Sequence, residues 1–347
     1  MRRITVLAIA AAVAVAGGLL SFGVGRMGQQ QASLPPILEP ELVTGGIDRP
    51  VSTFALPQPL DTGVVFAPQA SPETLPKAAR SDTANSKPTC RNAAALGVSR
   101  VVEIDTTGGP GFGFEHFKQH DFLRDKEVVL TFDDGPWPTT TAVVKALADE
   151  CVLATFFAIG KHATYYPEIL RSVAEAGHSV GSHTWSHQDL SKKSADEAKA
   201  EIEKAISAVQ WALGDRAQEA SFFRFPALRH PSEMVTYLGE RNIAVFSTDM
   251  DSFDFKIRTP EKITKSIMTK LQKQGKGIVL MHDFQTGTSH AVPQLLAELK
   301  AGGYKIVHLK SRAAITTLPQ YDEELQKNQR LSTISQRPTS SVIRDIQ

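Results

Sequence analysis

The sequence has almost no excess of charge of either sign, since 38 Lys and Arg stand against 37 Asp and Glu. No basic stripe is present that would suit a phosphate backbone, and this excludes the nucleic-acid-binding class. Aromatic residues make up only 7% of the 347 positions and hydrophobic residues 41%. These fractions are ordinary for a globular protein.

Charged residues are missing from 4–24, directly behind Arg2 and Arg3. As a helix this stretch spans roughly 31 Å, about one hydrocarbon core. We expect 1–26 to be an uncleaved inner-membrane anchor with its N-terminus in the cytoplasm. A cleaved signal peptide is the alternative. In either case the rest of the chain is exported, to the periplasmic face of the membrane if anchored and to the periplasm or medium if cleaved.

Regular hydrophobic periodicity is missing from both ends of the chain. The stretch 27–90 holds ten of the 20 prolines, which predicts a disordered linker. The polar stretch 319–347 predicts a flexible tail. Between them we expect a segment, 91–126, that packs on a folded domain at 127–318.

Cysteine is scarce, with Cys90 and Cys151 alone. In an exported protein an even pair permits a disulfide, although two unrelated thiols are the alternative. Cys90 lies where the proline-rich stretch ends, and Cys151 lies where the first predicted helix of the domain ends. A bond between them would hold the glycine-rich segment 91–126 against the domain, and we predict that it forms.

Strand-like and helix-like stretches alternate through the folded part. The strand-like runs are 127–132, 154–159, 179–181, 222–225, 244–248, 278–281 and 305–309. The helix-like runs are 139–150, 167–176, 194–213, 233–241, 260–274 and 291–299. Repeated βα units predict an α/β fold with parallel strands, in a barrel or an open sheet.

Two adjacent carboxylates, Asp133 and Asp134, end the first apolar run and are followed by Gly135-Pro136. Adjacent carboxylates repel each other unless a positive charge lies beside them, and a metal ion supplies one. His183 and His187 are spaced i and i+4, which would place both on one face of a helical turn. One Asp and two His form a three-ligand set with an open position, typical of catalytic zinc.

Other chemically useful residues also follow predicted strands, namely Arg224, Asp251, Asp254 and His282. Each alone has a plain structural interpretation, such as a turn or a salt bridge. In parallel barrels, however, the carboxyl ends of the strands carry the chemistry. Their repeated occurrence at strand ends therefore favours one functional rim.

Three motifs carry a resemblance to a known family: Thr131-Phe132-Asp133-Asp134-Gly135-Pro136, His183-Thr184-Trp185-Ser186-His187 and Leu280-Met281-His282-Asp283. They resemble the first, second and fifth motifs of the polysaccharide deacetylase family, the NodB homology domain of carbohydrate esterase family four, in an exported bacterial type. The resemblance covers about 125–310. It implies a distorted (β/α)7-type barrel and a divalent metal, usually zinc, with cobalt or nickel as alternatives.

The third and fourth motifs depart from the family pattern. The family has Arg-Pro-Pro, an aromatic residue and Gly where this chain has Arg224-Phe225-Pro226-Ala227-Leu228. It has Asp-x-x-Asp-Trp where this chain has Asp251-Ser252-Phe253-Asp254-Phe255. We expect a reshaped groove wall at the third motif, and an apolar wall without an indole N–H at the fourth.

The resemblance implies metal-assisted hydrolysis of an N-acetyl group on an amino-sugar polymer or oligomer. Asp134, His183 and His187 would hold the ion. Asp133 would be the general base, oriented by Arg224. His282 would protonate the leaving amine, paired with Asp254 or, as second choice, Asp251.

Substrate contacts are expected from residues in and near these motifs. Leu280 would line the acetyl pocket, and Pro226, Phe255 and Trp137 would line the groove, with Tyr165 as a further wall residue. The backbone N–H that follows Asp134, or one near Thr184, would donate to the oxyanion.

The expected partner is an acetylated glycan: peptidoglycan, a chitooligosaccharide or an exopolysaccharide. No protein partner is predicted. Two alternatives remain open at this point, another zinc hydrolase such as an amidase or peptidase, and an inactive carbohydrate-binding relative.

Overall fold

The structure is a computed structural model, and it describes residue 90 and residues 92–329. These residues belong to one compact unit. The predicted anchor or signal peptide at 1–26 and the predicted linker up to residue 89 lie outside the described residues. Within the described part of the chain, no helix is both long enough and apolar enough to span a bilayer.

Strands and helices alternate along the described residues. The strands are β1 (Val98–Ile104), β2 (Gly111–Phe112), β3 (Glu127–Asp133), β4 (Thr155–Ala158), β5 (Ser179–Ser182), β6 (Phe222–Phe223), β7 (Ala244–Phe246), β8 (Met250–Asp251), β9 (Gly277–His282) and β10 (Lys305–Ser311). The α-helices are α1 (Thr140–Asp149), α2 (Gly160–Tyr165), α3 (Pro167–Glu175), α4 (Ala195–Leu213), α5 (Ser232–Glu240), α6 (Pro260–Gln274), α7 (Thr286–Ala301) and α8 (Pro319–Gln329).

Seven parallel strands follow one another in the hydrogen-bonded order β8-β9-β3-β4-β5-β6-β7. The start of β3 also pairs with β10, β10 pairs with β1, and β7 pairs with β2, all in parallel. The predicted α/β fold with a barrel-like parallel sheet is therefore confirmed.

Strand β3 lies at the centre of the sheet, and all of its residues are buried. Its near-continuous apolar run is typical of a parallel strand that is covered on both faces. The register sets Asp133 level with His282 of β9 and with Phe157 of β4. The carboxyl ends of these strands consequently meet at one edge of the sheet.

Helices cover the outer face of the sheet and bury their apolar positions against it. Leu147 of α1, Leu170 of α3, Leu271 of α6 and Leu295 of α7 join one core with Phe132 of β3. Full burial of such a side chain contributes about 1.5–3 kcal/mol. This packing holds the functional edge in place.

The segment 91–126, predicted only to pack on the barrel, contributes two strands to the sheet. β1 pairs with β10 along its length, and its residues alternate between half-buried and exposed, a pattern typical of a strand. β2 pairs with β7 and is followed by Gly113 at φ +96°, where a Cβ would lie 2.6 Å from the nitrogen of Thr248. The glycine therefore permits a close approach of the two chain segments.

The predicted disulfide joins Cys90 to Cys151, with 5.7 Å between their Cα atoms. Cys151 comes two residues after α1 ends. The bond closes a loop with a sequence separation of 61 residues. In the chain-entropy account this restricts the unfolded chain by roughly 4 kcal/mol.

The predicted flexible tail at 319–347 begins instead with helix α8. Leu325 is buried, and Glu324 forms an ion pair with Lys204 of α4 at 2.8 Å. The contact with α4 accounts for the helix in this stretch. Amino-acid composition alone could not predict that contact. Residues 330–347 lie outside the described part.

Candidate active site

The residues predicted for the site converge at the carboxyl edge of the sheet. Asp133 ends β3 and His282 ends β9, while His183 comes directly after β5. Arg224 comes directly after β6, and Asp254 follows β8. Five elements that are distant in sequence thus bring their polar side chains to one place.

Asp134, His183 and His187 form a group that can hold a metal ion, with one ligand atom of each lying within 4.8 Å of the others. Asp134 Oδ1 is 3.4 Å from His183 Nε2 and 3.5 Å from His187 Nε2. Tetrahedral zinc bonded at about 2.0–2.2 Å sets its donor atoms about 3.3–3.6 Å apart. Asp134 Oδ1 is buried and has no hydrogen-bond partner among the described residues. This spacing and the unpartnered oxygen fit a divalent cation.

The pKa values of Asp134 and His187, and the hydrogen bond of His183, suit the same interpretation. Burial opposes ionisation of Asp134, but the imidazoles of His187 and His282 outweigh burial and lower its pKa. Burial lowers the pKa of His187 to about 4. His183 Nδ1 lies 2.7 Å from the carbonyl oxygen of Arg224, which can only accept, so Nδ1 carries the proton and Nε2 is left free. A carboxylate and neutral imidazoles are the forms that bind zinc.

The segment that carries the two histidines is not helical. The prediction that i, i+4 spacing on a helical turn brings them together was therefore wrong. Residues 185–186 form a bend, and the flanking Thr184 and His187 have φ of +63° and +55°. The left-handed region is unfavourable for such residues and persists only where the surroundings fix it. Long-range hydrogen bonds, rather than helical spacing, bring the imidazoles together.

Asp133 is held by a buried arginine. Arg224 Nη1 donates to Asp133 Oδ1 and to Thr131 Oγ1, both at 2.7 Å, and its Nη2 donates to the Ser247 carbonyl. The guanidinium is fully buried and lies over the ring of Phe157. The other carboxylate oxygen, Asp133 Oδ2, lies 3.9 Å from His183 Nε2. Arg224 thereby fixes one oxygen of Asp133 and leaves the second beside the metal-compatible group.

His282 is paired with Asp254 rather than with Asp251. Asp254 Oδ1 is 2.6 Å from His282 Nδ1, and its Oδ2 accepts the His282 backbone N–H and the Thr288 hydroxyl. Burial alone would lower the pKa of His282, but the carboxylates of Asp254 and Asp134 outweigh it and raise the pKa to about 10. Asp251 accepts the N–H of Phe253 instead.

The residues predicted for substrate binding lie around this group. The ring of Phe255 meets that of His282 edge-on at 5.7 Å. Trp137 is half-buried against the rings of His162 and Tyr166. Leu280 is buried on β9, level with Thr131 of β3 and Asp251 of β8. A further expected wall residue, Tyr165, is half-buried with its ring 6.0 Å from that of His162.

The unusual third motif forms a short 3-10 turn, Pro226–Leu228, in which Pro226 is buried. Ala227 and Leu228 both have positive φ, +51° and +53°. The backbone here therefore keeps a left-handed conformation without glycine, which costs of order 1 kcal/mol or more at each residue.

Sequence reasoning gave no role to two residues of the site. Asp283 is buried and accepts the Gly135 N–H at 2.9 Å and the Thr140 hydroxyl at 2.5 Å. The N–H that follows Asp134 is thus already bound, which corrects its assignment as an oxyanion donor. His162 Nδ1 lies 2.6 Å from the Asp134 carbonyl oxygen, to which it donates. Asp283 follows His282 directly, whereas nothing in the sequence points to His162.

Comparison with known proteins agrees with the fold and the site. The family model described as polysaccharide deacetylase matches residues 121–245. Chitin deacetylase 1 of Saccharomyces cerevisiae is 36% identical over 160 residues, 44% of this chain and 50% of that protein. A peptidoglycan-N-acetylglucosamine deacetylase of Listeria monocytogenes is 33% identical over 187 residues, 53% of this chain and 38% of that protein.

A solved structure of a peptidoglycan deacetylase of Bdellovibrio bacteriovorus has a TM-score of 0.57 and 32% identity, and the match covers 64% of this chain and 61% of that one. The chain spans half or less of the length of the two curated relatives. Fold and site define a parallel α/β protein with an Asp-His-His group at the carboxyl edge of its sheet. Residues 121–245 are thus similar to the polysaccharide deacetylase family.

Proposed function

We propose that the protein is a metal-dependent N-deacetylase that hydrolyses acetyl groups from N-acetylated amino-sugar polymers or oligomers. The observation that carries the proposal is the metal-compatible group Asp134, His183 and His187. Asp133 Oδ2 lies 3.9 Å from His183 of this group, and His282 Nε2 lies 3.9 Å from Asp134. The names of the relatives support the substrate class, since they include deacetylases of chitin, peptidoglycan and chitooligosaccharide.

The metal centre is proposed to hold a divalent cation on Asp134, His183 and His187. Mixed oxygen and nitrogen donors suit zinc best, with cobalt or nickel as substitutes. When bound, the ion supplies Lewis-acid polarisation of the acetyl carbonyl and makes water more acidic.

The proposed base and acid both lie near this centre. Asp133 would take the proton from the water that attacks the acetyl carbonyl, while Arg224 holds its other oxygen in place. His282 would give a proton to the leaving amine, and Asp254 orients its ring through Nδ1. His282 Nε2 lies 3.9 Å from Asp134 Oδ2, so the proposed acid is close to a proposed metal ligand.

The groove walls are proposed from the same neighbourhood. Phe255 contacts the His282 ring, and Trp137 packs on the α2 histidine that holds the Asp134 carbonyl. We assign both to contact with sugar rings, Leu280 to the acetyl pocket and Pro226 to the wall at the third motif. Such contacts position the acetyl group for attack.

Export is proposed for the location of the enzyme. The disulfide between Cys90 and Cys151 supports an oxidising compartment. The apolar stretch at 4–24 would either anchor the chain at the periplasmic face of the inner membrane or be removed on export.

One experiment tests the function and narrows the substrate. Purified protein is incubated with peptidoglycan, chitooligosaccharides and an acetylated exopolysaccharide, with and without chelator, and acetate and product masses are measured. We expect acetate from at least one substrate, loss of release in chelator and recovery with Zn²⁺ or Co²⁺. Release of peptide or of intact sugar without acetate would favour another zinc hydrolase, and no release with zinc bound would favour an inactive relative.

A further inference from the structure

The turn between the two proposed histidine ligands is bonded to helix α4 through one residue, Glu201. The Trp185 N–H donates to the Glu201 carbonyl at 2.8 Å. The Ser186 N–H donates to Glu201 Oε2 at 2.9 Å, and the Ser186 hydroxyl donates to Oε1 at 2.8 Å. Both carboxylate oxygens of Glu201 are thus committed to this turn, which lies 15 or more positions away in sequence.

Helix α2 holds the opposite side of the same turn. The N–H of Gly160 donates to the Thr184 carbonyl at 3.0 Å, and that of Lys161 donates to the Trp185 carbonyl at 2.9 Å. A Cβ on Gly160 would lie 2.8 Å from the Cα of Ala205 on α4 and 3.3 Å from the Cα of Trp185. The N–H groups of α2 therefore bind the carbonyls of the turn, and Glu201 binds the N–H groups of the turn.

The turn needs such restraint because Thr184 and His187 both have left-handed backbone angles. A non-glycine residue in this region costs about 1–2 kcal/mol. Without partners from elsewhere in the fold, the turn would relax toward other backbone angles. Relaxation at these two residues would move the His187 imidazole relative to Asp134.

We propose that Glu201 is a positioning residue of the metal centre, which holds the 184–186 turn so that His183 and His187 reach one ion. The inference rests on the proposed metal site. It goes beyond that site because Glu201 touches neither the ion nor the substrate. Loss of groups that orient metal ligands typically costs 10–100-fold in metal affinity.

The test measures the Zn²⁺ dissociation constant of the full-length protein by competition with a chromogenic chelator, and the visible absorption of the Co²⁺ form. We expect Glu201→Ala to raise the dissociation constant about 10–100-fold and to alter the cobalt spectrum. Glu201→Gln should restore most of the affinity, because its amide oxygen can accept the Ser186 N–H and its NH₂ can donate to the Ser186 hydroxyl. Asp196→Asn, which removes an exposed carboxylate from the same helix, should match wild type.

Unchanged zinc affinity and cobalt spectrum in Glu201→Ala would overturn the proposal, as would a Gln variant no better than Ala. If Glu201→Ala fails to fold, Ser186→Ala removes one of the three bonds and should weaken zinc binding to a smaller extent; wild-type affinity in that variant would overturn the proposal too. These measurements use no substrate. A wild-type protein that binds zinc but releases no acetate would contradict the proposed activity alone.

Discussion

Strand β5 has a buried histidine at each end, His178 before its first residue and His183 after its last. His183 Nε2 lies 3.4 Å from Asp134 and 3.9 Å from Asp133. His178 contacts the ring of Phe156 and accepts the Ala154 N–H through Nδ1. The same residue type is thus part of a charged site at one end of the strand and of apolar packing at the other.

The pKa values follow this division. Burial lowers the pKa of His178 to about 3 and that of His308, its neighbour on β10, to about 4. Burial also opposes the charge on His282, but nearby carboxylates raise its pKa to about 10. Burial therefore keeps His178 neutral, whereas the carboxylates around His282 outweigh burial and keep it protonated.

The largest expected difference between the two ends of β5 is in metal binding. His183→Ala should lose zinc on dialysis and lower kcat/KM on the order of 10⁴-fold or more, because carbonyl polarisation and water activation are lost together. His178→Gln should keep its zinc, although it is expected to be less stable. Zinc content by atomic emission and acetate release measure both. Equal zinc content in wild type and His183→Ala would show that His183 does not bind the metal, and that the two ends of β5 do not differ in metal binding.

The next largest effect is expected at His282. His282→Ala should lower kcat about 10²–10⁴-fold, the usual contribution of one general acid, while zinc stays bound. Asp251→Asn is the matched control, since Asp251 lies near His282 but bonds to the Phe253 N–H. Near-wild-type turnover in His282→Ala would show that another group protonates the amine.

Removal of the Asp254 carboxylate should lower the pKa of His282, as burial lowers that of His178. In Asp254→Asn the charge that most raises the pKa of His282 is lost, so its pKa falls. An acid must be protonated to act, and activity is lost as pH rises through its pKa. The alkaline limb of the kcat profile should therefore move to lower pH. A limb at the wild-type position would indicate that Asp254 does not set the charge of His282.

The smallest effect concerns stability at the packed histidines. Because the pKa of His308 is lower in the folded state than the unfolded value of about 6.5, the unfolded chain binds its proton first as pH falls. Neutral His308 leaves the free energy of unfolding undiminished above pH 6.5. Stability is lost between pH 6.5 and about 4, as the proton binds preferentially to the unfolded chain. The slope is at most about 1.4 kcal/mol per pH unit for one histidine.

Replacement of His308 by Gln removes this titration. Urea unfolding in chelator between pH 7 and pH 4.5 should give a shallower loss of stability for His308→Gln than for wild type. Identical slopes for the two proteins would mean that His308 is already solvated or paired in the native state.

Local sequence patterns predicted the strands and helices whose bounds are set by neighbouring residues in the sequence. The apolar run before Asp133 predicted β3 to within one residue, and the helix-like run 260–274 matches α6. Strand β1 was not predicted, because its sequence does not alternate: half-buried Arg100 and exposed Val101 break the period of two. Helix α2 was missed because it is short and begins at glycine.

The site was predicted as residue types and not as geometry. Motifs identified Asp134 and His187, but the turn between the histidines is shaped by Glu201 and by α2, whose contacts are set by tertiary packing. The same holds for Asp283, which accepts from the Gly135 N–H beyond the end of β3 and from the Thr140 hydroxyl of α1. Spacing along one chain carries no information about such contacts.

The pairing of β1 with β10 also bears on the order in which the chain can fold. The hydroxyl of Ser99 donates to the Ile306 carbonyl, 207 positions away. Pairing of such distant segments requires closure of a long loop before any contact compensates for the lost entropy, and this slows folding. β1 therefore has no strand partner until nearly the whole domain has been synthesised. A chain with this topology stays incompletely folded late into synthesis.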